Sequence, residues 1–220
     1  MIDQLQIPGE HAIMIQGPAG MIETVLDVPV NVDSQYLAIL GHPHSLQGGT
    51  MNNKVVTTMA RSFRELGIAS IRFNFRGVGQ TEGAYEGGVG ESEDMLHLLH
   101  MCQCPDLKVF FAGFSFGSYV AFRALTHYQQ ESAFPNALIT IAPSVHHYDY
   151  TSALKPNTPW LIVIGEDDEI VPVDAVTDFV KTRHPSPNIE YFAETGHFFH
   201  GKLLDLKARL QTHIRDWMKA

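Results

Sequence analysis

The sequence predicts a three-layer α/β/α fold built on a mostly parallel sheet, and three observations predict it. Short apolar runs alternate with longer amphipathic segments along all 220 residues. Runs such as Tyr36–Gly41 and Trp160–Ile164 are apolar throughout instead of at every second position, which is the pattern of strands covered on both faces. Strand-type and helix-type segments follow one another in turn, as parallel strands joined by crossover helices do. A chain of this length suits one domain, 1–220, better than two.

The elements follow in order. Residues 11–16 and 22–28 read as a β-hairpin about Gly17-Pro18-Ala19-Gly20, adding antiparallel strands at one edge. Tyr36–Gly41 is a buried strand. Val55, Val56, Met59, Phe63 and Leu66 recur at helical spacing over 53–66, and Gly67 stops that helix. Ile68–Phe73 is a strand, 91–101 a helix, Lys108–Ala112 a strand and Phe116–His127 a helix. Ala137–Ala142 and Trp160–Ile164 are strands. Pro172 opens a helix to about Thr182, proline being tolerated in a first turn. Ile189–Phe192 is the last strand and 201–218 the closing helix.

Composition removes several function classes. Fifteen Lys and Arg stand against 24 Asp and Glu, a formal net charge of −9. An acidic chain without a basic run is poorly suited to nucleic acid or an anionic membrane. Met1 to Glu10 has neither the basic region nor the apolar core of a signal peptide, and no apolar run approaches the ~18 residues of a membrane helix. The expected location is the cytoplasm. Cys102 and Cys104, the two cysteines, fit a reducing compartment and lack the spacing of a Cys-x-x-Cys redox pair.

In open parallel sheets, ligands gather beyond the carboxyl ends of the strands. The loops there carry the chemistry. After Lys108–Ala112 comes Gly113-Phe114-Ser115-Phe116-Gly117, then a helix. This is Gly-x-Ser-x-Gly in the strand-turn-helix setting of a nucleophile elbow. The glycines leave room for a sharp turn, and the helix N-terminus behind Ser115 favours developing negative charge. A tight turn with a capping serine is the plainer alternative.

A serine hydroxyl needs a base, and the base an orienting acid, in the chain order Ser, Asp or Glu, His. Gly165-Glu166-Asp167-Asp168-Glu169 follows one strand end. Asp168 is the candidate acid and Asp167 its rival; taken alone, four acids in a loop are better explained as a solvated helix cap. Glu194-Thr195-Gly196-His197-Phe198-Phe199-His200 follows another strand end, with His197 as candidate base and His200 as the rival. Of the 12 histidines, neither His42/His44 nor His146/His147 lies in a helical array with a carboxylate. No metal and no other cofactor is expected.

An oxyanion needs two backbone N–H donors. Phe116, following the candidate nucleophile, is one. The second belongs in His42-Pro43-His44-Ser45-Leu46. Pro43 has no N–H, so Leu46 or His44 remains, with Leu46 favoured. The glycine-rich stretch up to Lys54 lacks the Gly-Lys-Ser/Thr of a phosphate loop, and Asn52 or Asn53 instead caps the next helix. Asn74 to Gly79 likewise lacks the spacing of a dinucleotide fingerprint.

Taken together, Gly113–Gly117, Asp168 within Gly-x-x-Asp-x-x-Val-Pro, Gly196-His197 and Phe75-Arg76-Gly77-Val78-Gly79 resemble the α/β-hydrolase superfamily over nearly the whole chain. The likeness is to its small bacterial serine hydrolases of dienelactone-hydrolase type. The segment from His42-Pro43-His44 to Lys54 resembles one subgroup of these. The resemblance implies eight strands with the second antiparallel, and ester hydrolysis through an acyl-enzyme. It also implies Asp168 as the acid. Two departures stand out. The nucleophile position holds Ser115 where dienelactone hydrolases have cysteine, and the oxyanion loop reads His-Pro-His where His-Gly is common. Many relatives insert a cap after the sixth strand; residues 143–159 are too few for one. An open site suits small esters better than lipids. Phe114, Phe116, His146, His147, Tyr148, Phe198 and Phe199 are candidates for an apolar pocket or, equally, for the core.

Overall fold

A computed structural model describes residues 5, 7–102, 107–131, 136–155 and 158–219. Eight strands form one sheet in the order β1-β2-β4-β3-β5-β6-β7-β8. These are β1 (Gly9–Gly17), β2 (Gly20–Val28), β3 (Tyr36–Gly41), β4 (Ala69–Phe73), β5 (Lys108–Phe114), β6 (Asn136–Ile141), β7 (Trp160–Gly165) and β8 (Asn188–Phe192). The helices are α1 (Lys54–Arg64), α2 (Val89–His100), α3 (Phe116–Glu131), α4 (Val173–Thr182) and α5 (Leu203–Lys219).

β2 pairs antiparallel with both β1 and β4, and every other pairing is parallel. The expected hairpin is present, with Gly17 opposite Gly20 across Pro18-Ala19. Its outer strand alternates in exposure because β1 is a sheet edge, whereas β3, β4 and β7 are buried along their whole length. α1 packs on α5 and α2 on α3, covering the two faces. Leu161, Ile162, Val163 and Ile164 of β7 are each fully buried, and burial of one such side chain contributes roughly 1.5–3 kcal/mol.

Several element ends differ from the expected ones or are decided by contacts the structure shows. β5 runs two residues beyond Ala112, because Gly113 still pairs with Gly41 of β3 and Phe114 with Ile141 of β6. The residue after β5 is therefore thrust beyond the sheet. Asn53, not Asn52, caps α1, its carboxamide accepting the Val55 N–H at 2.9 Å. Pro172 is the N-cap of α4 and not its first helical residue.

The connection from β6 to β7 contains no helix among its described residues, so nothing there builds a cap over the sheet. Cys102 is buried and Cys104 lies outside the described residues. No helix among the described residues is long and apolar enough to cross a membrane.

Candidate active site

Ser115 stands between β5 and α3 with φ at 54°, in the left-handed region. A non-glycine residue held there costs of the order of 1–3 kcal/mol, and its neighbours hold it. The Ser115 N–H donates to the Ile141 carbonyl at 2.8 Å, and the Ser118 N–H donates to the Ser115 carbonyl at 2.9 Å. The Ser118 hydroxyl lies 2.8 Å from the Gly113 carbonyl and 3.0 Å from that of Ile141. The flanking glycines are required by close backbone approach. A Cβ on Gly113 would collide with the Gly117 carbonyl, and one on Gly117 with the Gly41 backbone at the end of β3. Ser115 thus sits at the N-terminus of the 16-residue α3, where the helix dipole favours negative charge.

The structure joins His197 and Asp168. His197 Nδ1 is 2.8 Å from Asp168 Oδ2 and 3.0 Å from Oδ1. Both side chains are out of solvent, at 2% and 0% exposure. Oδ1 also accepts the N–H groups of Ile170 at 2.9 Å and Val171 at 2.7 Å. A carboxylate facing Nδ1 assigns the proton to that nitrogen and leaves the Nε2 lone pair available. The His197 ring lies 4.9 Å from that of Phe114, the residue before Ser115. The rivals Asp167 and His200 are exposed. Glu169 escaped the sequence reading: its Oε2 accepts the His197 N–H at 3.1 Å and so fixes the backbone of the histidine loop. Its only signal was membership of the acidic loop.

The oxyanion side corrects one expectation. The Leu46 N–H is committed to His44 Nδ1 at 3.2 Å, and the Leu46 side chain points to solvent at 71% exposure. Leu46 closes a 3₁₀ turn (Ser45–Gln47) and has no donor to spare. The His44 N–H has no protein acceptor among the described residues. The Phe116 N–H, in the first turn of α3, has no intrahelical acceptor. The N–H groups of Phe116 and His44 are thus both without a backbone acceptor among the described residues, and the two rings meet at 5.1 Å.

Beneath this loop His42 is a latch. Its Nε2 accepts the Phe75 N–H at 2.9 Å, so Nδ1 carries the hydrogen and donates to the Pro43 carbonyl at 2.6 Å. Desolvation by burial lowers its pKa to about 4, the Pro43 bond opposing, and keeps the ring neutral. The latch ties the loop after β3 to the loop after β4. The latter is anchored by Arg76, which is 4% exposed. Its guanidinium meets Asp94 through Nε at 3.0 Å and Nη2 at 2.9 Å, and reaches Glu86 at 2.6 Å. Hydrogen bonding to Asp94 raises the Arg76 pKa and holds it charged. Phe75 to Gly79 is thus a scaffold for the site.

The aromatic candidates divide. Phe114, Phe116 and Phe199 are core, while Phe198, His146 and His147 are exposed and Tyr148 is half-buried. A cleft of about 420 Å³ lined by Trp160, Arg183 and His184 lies at the amino ends of β7 and β8. That is the opposite edge of the sheet, and it takes no part in this site.

Most of the chain has counterparts among known proteins. A lidless α/β serine hydrolase from Xanthomonas campestris is 39% identical, with a TM-score of 0.86 and coverage of 94% of each chain. An α/β serine hydrolase homologue from Coxiella burnetii is 40% identical at a TM-score of 0.84, covering 92% of this chain and 96% of that one. An uncharacterized protein of Rickettsia prowazekii is 30% identical over 213 residues, 92% of this chain and 87% of its own. Residues 80–202 match the family described as Serine hydrolase (FSH1). That span includes the Ser115 turn, the acidic loop and His197, and the chain belongs to this family of serine hydrolases, with the α/β-hydrolase fold and no lid.

Proposed function

We propose that the chain hydrolyses small carboxylic esters through an acyl-enzyme, with Ser115 as nucleophile, His197 as general base and Asp168 as the acid that orients it. The observation that carries this reading is the buried Asp168–His197 pair at 2.8 Å, whose imidazole lies 4.9 Å from the ring of Phe114, the residue before a serine held at positive φ on a helix N-terminus. His197 Nε2 takes the Ser115 proton as Oγ attacks the carbonyl carbon. The oxyanion accepts the N–H groups of Phe116 and His44. Collapse expels the alcohol, which leaves with the proton from His197. Water then repeats the sequence on the acyl-enzyme, releasing the acid and restoring Ser115.

The absence of a lid favours short or surface-accessible esters, since nothing built over the sheet would enclose a long acyl chain. The expected partner is thus a small-molecule ester, in the cytoplasm, with no nucleic acid or membrane involved. Labelling by a fluorophosphonate probe tests the reading. Wild type labels, and Ser115→Ala and His197→Ala do not. A folded wild type that stays unlabelled overturns it. Rates on matched ester, thioester and amide substrates then test the preference for esters.

A further inference from the structure

Three loops bring three polar side chains together over Phe116. His44 comes from the loop after β3, Tyr85 from the loop after β4 and Tyr148 from the loop after β6. Their rings lie 5.1, 5.5 and 5.3 Å from the Phe116 ring. The Tyr85 hydroxyl is 3.2 Å from His44 Nε2 and 3.5 Å from the Tyr148 hydroxyl. Each member is braced. Tyr148 stacks on Tyr119 at 4.7 Å. Tyr85 precedes Glu86, whose N–H donates to Glu91 at 2.9 Å and whose carboxylate pairs with Arg76.

The hydrogens in this cluster can be counted. His44 Nδ1 accepts the Leu46 N–H, so the neutral ring carries its hydrogen on Nε2 and donates it to the Tyr85 oxygen. The two phenols then hold one hydrogen each but share only one contact. Neither has another partner among the described residues. Burial, with Tyr85 adding to it, pushes the Tyr148 phenol above its usual range, so that hydrogen stays on. Whichever way the pair is oriented, one O–H is left without a protein acceptor. The cluster is uncharged, and the fully buried Glu91 carboxylate acts on both His44 and Tyr148. An anionic ligand group is thereby disfavoured.

We propose that His44, Tyr85 and Tyr148 form a specificity subsite that donates a hydrogen bond to a neutral oxygen of the substrate, an ether, carbonyl or hydroxyl within a few bonds of the scissile carbonyl. The subsite rests on the ester-hydrolase reading above and deepens it. It selects esters carrying a second oxygen function over plain alkyl esters of the same shape.

The test replaces one CH₂ by oxygen in otherwise matched substrates. On the acyl side the pair is 4-nitrophenyl butyrate and 4-nitrophenyl methoxyacetate; on the alcohol side it is butyl acetate and 2-methoxyethyl acetate. For each pair the ratio of kcat/KM, ether over alkyl, is measured in wild type, Tyr85→Phe and Tyr148→Phe. The ratio cancels intrinsic reactivity and any general loss of activity. It falls about three- to tenfold in at least one pair for at least one of the two variants, the one that removes the donating phenol, as loss of one neutral hydrogen bond requires. Unchanged ratios in both pairs, with fluorophosphonate labelling of Ser115 intact, overturn the subsite and leave the hydrolase reading standing. An unlabelled wild type removes both.

Discussion

Asp168 faces His197 with Oδ2 at 2.8 Å from Nδ1, while Oδ1 is held by the N–H groups of Ile170 and Val171. One carboxylate is therefore fixed by its own loop and in turn fixes a ring from another strand end. Asp168→Asn keeps the shape but places an amide where Nδ1–H needs an acceptor. Turnover of an ester falls about 10³–10⁴-fold, since the wrong tautomer is then favoured. A variant within tenfold of wild type would remove Asp168 from the triad.

The oxyanion assignment separates two residues by a single hydrogen. His44 already has φ at −54°, an angle proline adopts. His44→Pro deletes the N–H, and His44→Ala keeps it while removing the same ring. The proline variant has a kcat about 10²–10³-fold below the alanine variant, as for loss of one oxyanion donor. Equal kcat values for the two would return the role to another residue of the loop.

Gly117 tolerates no side chain, because a Cβ there would strike the Gly41 backbone, and backbone cannot swing aside as a flexible side chain can. Gly117→Ala costs about 1–3 kcal/mol, read as a lowered urea midpoint. Unchanged stability would contradict the close approach of β3 to α3.

Arg76 is buried against Asp94. Arg76→Met leaves that carboxylate without its partner and destabilises by about 3–5 kcal/mol. Arg76→Met combined with Asp94→Leu recovers part of the loss, because no uncompensated charge remains. Denaturant unfolding of the single and double variants checks the cycle; a double variant worse than Arg76→Met contradicts it.

His42 makes stability depend on pH. Its pKa is lowered from 6.5 to about 4 by desolvation, so the unfolded chain binds a proton that the folded chain refuses between those values. The contribution is fully present above about pH 6.5 and is lost as pH falls towards 4, a total of about 3 kcal/mol. His42→Asn flattens the slope of unfolding free energy between pH 6.5 and 4.5 by about 1 kcal/mol per pH unit. An unaltered slope assigns the acid sensitivity elsewhere.

Much of this was legible in the order of residues. Continuous apolar runs announce β3 and β7 because a strand covered on both faces admits no polar alternation. The Gly113–Gly117 pattern announces the turn at Ser115 because only glycine fits where two backbones touch. Both are local statements about which side chains a given surrounding permits, and one sequence is enough to make them. The same reasoning misplaced the end of β5, whose last pairs depend on Gly41 and Ile141 of two other strands.

What the sequence by itself determined is the layered fold, the turn that presents Ser115, and the strand ends that carry Asp168 and His197. Only the tertiary structure decided how they meet: that Asp168 and not Asp167 faces His197, that Leu46 spends its N–H on His44, and that Tyr85 and Tyr148 close over Phe116. The reason is range. Periodicity and turn chemistry act within a few residues, whereas each of these outcomes depends on which atom of one loop lies within about 3 Å of an atom in another. That is fixed only when the sheet brings the strand ends side by side.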